Sequence, residues 1–525
     1  MFFIFVFYYY IVISYINIVI SYINIVISYI NIVINMNLLT DVQNDSGFLG
    51  EGSYGCVYYP GIDCKGKKNT KKTVTKIQEI NFFSTNEKNI GLYIKKHIKN
   101  FKNHVSPIIK SCLVSFDIIE KSNLNLNKCN TLFEDYNANI TNVLKYNDDT
   151  NDPYPDTDPD NAYAYNMVNK NIRNKYFLMY SNYIKNKSLK DYYNIKIGSV
   201  ISVSSNVNYV NYVISLLNNF AYLLTTLTLL NKHKIIHNDL HIHNILINLK
   251  TNKPIIIDFG MSLFITKCYD LNKNTIDFNY LNEFLFDFRF DYYHVNIEKR
   301  FLCFFIYNKN EEFISSVNTN DDVNILTIDN IDLFINDAYD SIINNKEIKE
   351  FFNTIELIEY KKALQQFYHQ FHNKIDYPTY SSIVKYLLDF FYAYTDLYSL
   401  TIDFLYIYYN SSIFLEKNSI DDETKNIKIF LEFFVQLYKK VLYPIPNMRL
   451  KINEVYNIYM FIIIYIKNVK INNSTKYTAE FIIAFIKFLK SKSISIEVVF
   501  NKNFAFLNFN LLCNKTMFEF IKLHI

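Results

Sequence analysis

Residues 235–260 read IIHNDLHIHNILINLKTNKPIIIDFG, and this stretch decides the fold class of the chain. Two short aliphatic runs flank a polar turn at 249–253, a pattern that predicts a two-stranded hairpin. Asp239 and Asn244 precede the first strand and Asp258 follows the second, so we expect all three at one end of the hairpin. Mg²⁺ prefers such oxygen ligands. The stretch therefore predicts a site where three oxygen-bearing side chains serve a metal and a hydroxyl substrate.

Histidines are also concentrated here, which raises the alternative of a zinc site. Four of the ten histidines lie in or beside the stretch: His233, His237, His241 and His243. No neighbouring cysteine or glutamate completes a plausible zinc ligand set. The sequence therefore favours Mg²⁺ on oxygen ligands over a histidine-bound metal.

A glycine motif precedes this stretch in a chain that contains only nine glycines. Residues 50–57 read GEGSYGCV, of the form G-x-G-x-x-G-x-V, in which glycines let the backbone approach phosphates closely. Strand-forming residues follow the motif where a dinucleotide-binding turn would begin a helix, so a phosphate-covering hairpin is predicted. The candidate nucleotide-binding residues are Gly50, Glu51, Gly52, Ser53, Tyr54, Gly55 and Val57.

Lys76 lies within the strand-like run 74–77, whereas most other lysines fall in polar clusters. A lysine at this position would contact the α- and β-phosphates of a nucleotide. Glu87, expected in the first turn of a helix whose isoleucines share its face, is the candidate partner of Lys76. Two alternatives remain open: Glu87 is a solvated helix residue, or Glu79 on the same strand is the partner.

Composition limits the class of protein. The chain has 525 residues, with 54 Lys and Arg against 50 Asp and Glu, and the net charge of +4 argues against a dedicated nucleic-acid binder. Its seven cysteines are scattered and include no C-x-x-C, which argues against disulfides and thiolate zinc sites. We therefore expect a reducing compartment, the cytoplasm.

The first 40 residues carry no charge, and residues 11–31 are three copies of IVISYIN. Segment 1–36 is long and apolar enough for a membrane anchor, although its Ser and Asn residues would form a polar stripe on a helix. Alternatively, the repeats record a recent tandem duplication, with Met36 as the true or an alternative start. Membrane association is expected only through this segment.

The motifs together resemble the eukaryotic-type protein kinase superfamily in order and spacing: the three motif glycines, Lys76, His237-x-Asp239-x4-Asn244 and Asp258-Phe259-Gly260. Further on, TDLYSL at 395–400 resembles the D-x-W-S-x-G segment, and PNMR at 446–449 resembles D-P-x-x-R. The composition and the H-N-D-L-H-x-x-N variant look most like serine/threonine kinases of large DNA viruses.

The resemblance implies an α+β, bilobal kinase-like fold with a strand-rich N-lobe and a mainly helical C-lobe. Its expected parts are the N-lobe 37–181 with an acidic loop at 147–161, a hinge near Met179 to Tyr183, the C-lobe 182–470 with an insertion at about 265–390, and an extension at 471–525.

The resemblance also implies an ATP- and Mg²⁺-dependent protein kinase that phosphorylates a protein hydroxyl, on Ser or Thr. In that family the motif glycines cover ATP, and Lys76, held by Glu87, would position its phosphates. Asn244 and Asp258 would bind Mg²⁺, and Asp239 would orient the acceptor hydroxyl and accept its proton.

Several departures from the family pattern bear on this interpretation. Asn238 replaces the arginine of H-R-D, and His241 replaces a lysine near the γ-phosphate. The 136-residue separation of Gly260 and Asp396 exceeds an ordinary activation segment, and the absence of A-P-E leaves Arg449 without its expected glutamate.

Two other functions stay open. His241 favours a small-molecule phosphotransferase of the same fold, although the glycine motif and D-F-G favour a protein acceptor. A catalytically silent binding module, with the insertion as its interface, is the other alternative. The presence of Lys76, Asp239, Asn244 and Asp258 together argues against it, because a scaffold needs none of them.

Overall fold

The computed structural model describes most of the chain from residue 47 to residue 494. The described ranges are 47–131, 175–270, 294–307, 328–344, 352–372, 380–418 and 437–468, with gaps at 53–54, 70–72 and 203–205, and short pieces at 275–277, 280–281, 284, 349, 435, 484–485 and 487–494. The repeat segment 1–36, the acidic loop 147–161 and nearly all of the extension 471–525 lie outside these residues.

The chain divides into two compact units, which are described separately. Unit 1 comprises Met1–Ser84 and Lys110–Tyr183, and unit 2 comprises Thr85–Ile109 and Ile184–Ile525. A strand-rich sheet characterises the N-terminal part and helices the C-terminal part, so the predicted α+β class is confirmed. Unlike the predicted N-lobe 37–181, unit 1 excludes residues 85–109, which pack within unit 2.

Unit 1 is built on one antiparallel sheet in the order β1-β2-β3-β5-β4. Its strands are β1 Phe48–Gly52, β2 Gly55–Tyr58, β3 Thr73–Glu79, β4 Lys110–Ser115 and β5 Lys175–Asn182. Alternate residues face a buried core that includes Cys56, Ile77 and Leu178. Phe116 and Leu126, from the short helices Phe116–Glu120 and Leu126–Lys128, pack into the same core.

Two disulfides in unit 1 show that the prediction of free thiols is wrong. Cys56 bonds Cys129, with Cα atoms 5.9 Å apart, and Cys64 bonds Cys112, at 6.1 Å. The partners are 73 and 48 residues apart in sequence, so local spacing gave no sign of the pairing. Because disulfides persist mainly in oxidising environments, the cytoplasmic prediction loses the basis on which it was made.

We predict that these four cysteines resist alkylation in the non-reduced, denatured protein and are labelled after reduction. Buried Cys268 serves as the internal control, because its thiol is not in a disulfide and becomes labelled once the chain unfolds without reductant. Mass spectrometry of non-reduced digests measures both. Alkylation of Cys56 or Cys64 before reduction would contradict the pairing.

Helix α1, Phe82–His97, begins in unit 1 and continues into unit 2. Asn81 and Ser84 exchange hydrogen bonds at its start, Ser84 N to Asn81 Oδ1 (2.8 Å) and Asn81 N to Ser84 Oγ (2.9 Å). This reciprocal cap places the helix start earlier than expected, so Glu87 lies in the second turn. A Cβ on Gly91 would lie 2.3 Å from Ile108 O, so only glycine permits this close packing.

Unit 2 is mainly helical, and its described residues also form a three-stranded sheet and two strand pairs. Helix Phe116–Glu120 of unit 1 is α2. The helices of unit 2 after α1 are α3 Leu189–Ser202, α4 Asn206–Lys232, α5 Ile265–Cys268, α6 Ile297–Tyr307, α7 Ile328–Ile343, α8 Thr354–Tyr368, α9 Tyr380–Asn418 and α10 Ile452–Asn468. Its strands are β6 Asn186–Ser188, β7 Ile235–Ile236, β8 Ile245–Asn248, β9 Lys253–Ile256, β10 Leu263–Phe264, β11 Tyr269–Asp270 and β12 Thr275–Ile276.

Helix α4 contains a stretch, Tyr212–Lys232, that is apolar and long enough to cross a membrane, with mean hydropathy 1.6. Most of this stretch is buried, including Leu216, Phe220 and Leu227 at 0% exposure. Core helices pass the same test of length and composition, so the finding is weak evidence for a membrane span. The candidate anchor 1–36 lies outside the part of the chain that the structure describes.

Part of the predicted insertion 265–390 forms an aromatic core in unit 2. Phe301 of α6, Phe334 of α7 and Tyr368 of α8 have ring centroids 4.6–5.2 Å apart. Helix α8 starts with a capping box between Asn353 and Glu356. The Glu356 carboxylate also accepts from buried Lys439 Nζ at 2.8 and 3.0 Å, which links α8 to the segment before Arg449.

We predict that the stability of unit 2 rises with pH above neutrality because of Lys440. Burial lowers the pKa of Lys440 from 10.5 to about 7, and Glu356 opposes this only in part. Between these values the unfolded chain binds more protons than the folded chain, so raising the pH favours folding. Lys440→Met should raise the thermal midpoint at pH 7, on the order of 2–4 °C, and flatten its rise toward pH 9.5.

Exposed Lys451 provides the matched control, because Lys451→Met should retain the wild-type pH dependence. An unchanged rise of the midpoint in Lys440→Met would show that this lysine is not the responsible group.

Candidate active site

The hairpin β8–β9 brings two of the predicted site residues together. Ile245 pairs with Ile256 across the hairpin, and Ile257 N donates to Asn244 O at 3.0 Å, so Asn244 lies beside the residue that precedes Asp258. Asn244 Nδ2 also donates to Asp239 O at 2.8 Å and to Asp239 Oδ2 at 3.3 Å. Asp239, Asn244 and the start of the D-F-G segment therefore converge at the predicted end of the hairpin.

The orientation of the Asn244 amide fits the predicted metal role. Its nitrogen is directed toward two Asp239 oxygens and lies 3.0 Å from His241 Nε2. Since Nδ2 is the donor in these contacts, the amide oxygen is directed away from Asp239. Amide and carboxylate oxygens such as those of Asn244 and Asp258 are the ligands that a hard cation such as Mg²⁺ prefers, and their joint role in binding the metal stays a prediction.

Asp258 adopts a left-handed backbone conformation, with φ of 59°, and its Oδ1 accepts from Gly260 N at 3.3 Å. Helix α1 packs on this segment, since Asn86 Nδ2 donates to Gly260 O at 2.9 Å and to Ser262 O at 2.6 Å. Glu87 is buried, and its Oε2 would lie 3.9 Å from a Cβ at Gly260. The structure thus places Glu87 beside the D-F-G segment.

Asp396 of α9 holds the backbone before Asp239. Its Oδ2 accepts from His237 N at 2.8 Å and its Oδ1 from Asn238 N at 2.9 Å. Burial raises the pKa of Asp396, while His237 and the two N–H groups favour its ionised form. His237 Nε2 in turn contacts Ile257 O at 2.8 Å, so the loop is fixed on two sides.

His241 lies within the site, because its Nε2 is 3.8 Å from Asp239 Oδ2 as well as 3.0 Å from Asn244 Nδ2. Burial lowers the pKa of His241, and Asp239 opposes this only in part. Within the described ranges, the four clustered histidines do not form a metal-ligand group; the one group with suitable spacing is Glu51, Cys56 and Cys129, whose cysteines form a disulfide.

In unit 1, three of the predicted nucleotide-binding residues share a row across the sheet with Met179. Gly50 pairs with Val57, Val57 with Lys76, and Lys76 with Met179. Directly opposed residues of antiparallel strands lie on one face, so these four occupy the face opposite the disulfide-bonded core. Lys76 belongs to unit 1 and Glu87 to unit 2, and the ion pair between them stays a prediction. Glu79, the alternative partner of Lys76, accepts a hydrogen bond at its Oε1 from Tyr176 Oη at 3.4 Å.

Along the β1–β2 hairpin the described residues require glycine at only one of the three motif positions. A Cβ on Gly55 would lie 2.1 Å from Ile77 O, so the sheet itself requires that glycine. Around Gly50 and Gly52, the described residues leave the Cβ position open, with nothing closer than 3.9 Å. This space suits close approach of a ligand. Ser53 and Tyr54 lie outside the described residues.

Glu51 has a partner within unit 1. Its carboxylate accepts from the Thr131 backbone N–H at 2.6 Å and from the Thr131 hydroxyl. These hydrogen bonds hold the pKa of Glu51 below its usual value. Because Cys129 is joined to Cys56, opposite Glu51 in the hairpin, segment 129–131 is attached to both strands.

The expectation that Arg449 lacks a glutamate is wrong. Glu298, in the first turn of α6, accepts from Arg449 Nη1 at 2.9 Å and from Nη2 at 2.6 Å, and both side chains are 0% exposed. Residues 294–300, expected within an insertion, therefore belong to the core of unit 2. No signal in the sequence predicted this pair, because Glu298 lies at a helix start 151 residues before Arg449 and nothing local links the two.

The sequence matches no protein-family model and no curated protein at a significant level. The function is therefore proposed from the site geometry and from the resemblance of its motifs.

Proposed function

We propose that this protein is an ATP- and Mg²⁺-dependent protein kinase with a bilobal kinase-like fold, which phosphorylates Ser or Thr on a protein. The observation that carries the proposal is the convergence of Asp239, Asn244 and the Asp258 segment on a loop whose backbone Asp396 holds. An oxygen donor set beside a carboxylate that can accept a hydroxyl proton suits phosphoryl transfer.

In this proposal Asp239 orients the acceptor hydroxyl and accepts its proton. Asn244 and Asp258 would hold Mg²⁺, which when bound neutralises phosphate charge. The Gly50–Val57–Lys76 face of unit 1 would contact nucleotide phosphates, the backbone through its N–H groups and Lys76 through its ammonium. Catalysis would consist mainly of positioning and charge stabilisation.

A small-molecule phosphotransferase is the second candidate, favoured by the contact of His241 with Asn244 and Asp239. Transfer from γ-labelled ATP to casein, compared with transfer to a panel of small hydroxyl compounds, separates the two. Labelled casein supports the protein kinase, whereas labelling of small acceptors alone supports the second candidate.

We predict that Lys76 and Asp258 contribute to nucleotide binding in different ways. Lys76→Ala should weaken ATP binding with or without Mg²⁺, because an ammonium binds phosphates directly. Asp258→Ala should remove only the Mg²⁺-dependent part, because a carboxylate acts there through the metal. Titration of ATP with and without Mg²⁺ measures both variants.

Exposed Lys67→Ala serves as the control and should bind as the wild type does. If the wild type shows no Mg²⁺-dependent ATP binding, the metal role of Asn244 and Asp258 fails and a silent binding module becomes the better interpretation.

A further inference from the structure

Asn238 lies next to Asp239, and its hydrogen bonds join the loop that carries Asp239 to three other segments. Its backbone N–H donates to Asp396 Oδ1 at 2.9 Å, and its side-chain Nδ2 donates to Met261 O at 3.0 Å. Its Oδ1 accepts from Lys299 Nζ at 2.8 Å. The residue has φ of 64°, a left-handed conformation that asparagine tolerates better than most side chains. Asn238 thus fixes the backbone direction from which Asp239 projects.

Lys299, on the first turn of α6, is a buried cation with 6% exposure. Its backbone N–H donates to Asn296 Oδ1 at 3.2 Å, and its charge lowers the pKa of Asp396 against the larger effect of burial. Burying an ammonium is unfavourable unless hydrogen bonds and opposite charge compensate. Packing alone therefore does not explain why a lysine is buried at position 299.

The Lys299 ammonium and the Met261 carbonyl together fix the orientation of the Asn238 amide. Lysine has only donors, so the amide oxygen must face Lys299, and the amide nitrogen is then directed at Met261 O. Without the lysine, only the hydrogen bond to Met261 O would distinguish the two ends of the amide. The link to Met261, directly after the D-F-G segment, depends on this orientation.

We propose that Lys299 is a positioning residue: its buried ammonium fixes Asn238 and thereby holds the loop that carries Asp239 in register with the D-F-G segment. The effect of Lys299 on catalysis rests on the proposed kinase function, whereas its effect on the order of the loop does not. Asn238, which Lys299 contacts, stands where the H-R-D motif has arginine.

Hydrogen exchange and transfer kinetics test this role in the full chain. In Lys299→Met, exchange of the His237 and Asn238 amides should accelerate at least about tenfold, since both donate to Asp396 in the ordered loop. The kcat for phosphate transfer from ATP to casein should fall about 10–100-fold, which is the usual effect of removing an orienting partner, and KM for ATP should change less than about threefold. Lys299→Arg, which keeps the donor and the charge, should restore both.

Lys439→Met is the matched control, because Lys439 is an equally buried lysine of unit 2 that bonds Glu356, away from the loop. It should lower thermal stability but leave exchange of the two loop amides and kcat unchanged. If Lys299→Met does not fold, Asn238→Asp replaces it: this variant keeps an acceptor for Lys299 but loses the donor to Met261, and kcat should fall similarly.

Unchanged loop exchange in Lys299→Met, or equal acceleration in Lys439→Met, would overturn the positioning role. Accelerated exchange specific to Lys299→Met supports that role even if the wild type transfers no phosphate, a result that would remove the kinase proposal alone. Transfer by the wild type with unchanged exchange and kcat in Lys299→Met would leave the kinase proposal intact and remove the positioning role.

Discussion

Asp239→Asn should slow phosphoryl transfer at least about 100-fold while ATP and Mg²⁺ still bind. A positioned general base typically contributes roughly 10² to 10⁴ to the rate, and the asparagine side chain cannot accept the hydroxyl proton. The substitution preserves the side-chain shape and the acceptor for Asn244 Nδ2, so the fold of the loop should remain. Transfer of labelled phosphate to casein gives kcat, and the Mg²⁺-dependent ATP titration gives binding.

Asp340→Asn is the matched control, since Asp340 is an exposed aspartate of the same unit on α7. It should transfer phosphate at the wild-type rate. Equal turnover of Asp239→Asn and wild type would contradict the proposed catalytic role of Asp239 and, with it, the kinase assignment.

Glu298→Gln should lower the free energy of unfolding of unit 2 by about 3–5 kcal/mol, because it leaves the Arg449 guanidinium buried without its counter-charge. Arg449→Met should also destabilise unit 2, because it leaves the Glu298 carboxylate buried without its counter-charge. The double variant Glu298→Leu with Arg449→Met should regain part of the loss, since no unpaired charge is left in the core. Urea unfolding followed by a signal from unit 2 measures all three.

Glu359→Gln provides the comparison at the surface, where Glu359 pairs with Lys362 three residues later. Exposed pairs contribute about 0–1 kcal/mol, so this variant should unfold close to the wild type. A Glu298→Gln protein no less stable than Glu359→Gln would show that the buried pair is not a fixed part of unit 2.

The local parts of the site could be predicted because each depends on residues close together in sequence. The polar turn between β8 and β9 fixes which residues face each other, so the spacing of Asn244 and Asp258 predicts their approach. The strand-like run 74–77 likewise predicts that Lys76 lies on a strand, and the register of the sheet shows that Lys76 shares a row with Gly50 and Val57. The sequence by itself thus determined the α+β class and the composition of the candidate site.

Only the tertiary structure decided which distant segments meet. Glu298 and Arg449 are 151 residues apart, His237 and Asp396 are 159 apart, and Lys299 and Asn238 are 61 apart. The Cys56–Cys129 disulfide, across 73 residues, overturned an expectation drawn from cysteine spacing. Periodicity and motif spacing report local conformation, whereas the partner of a buried charge or thiol is set by how helices and strands pack after the intervening chain has closed.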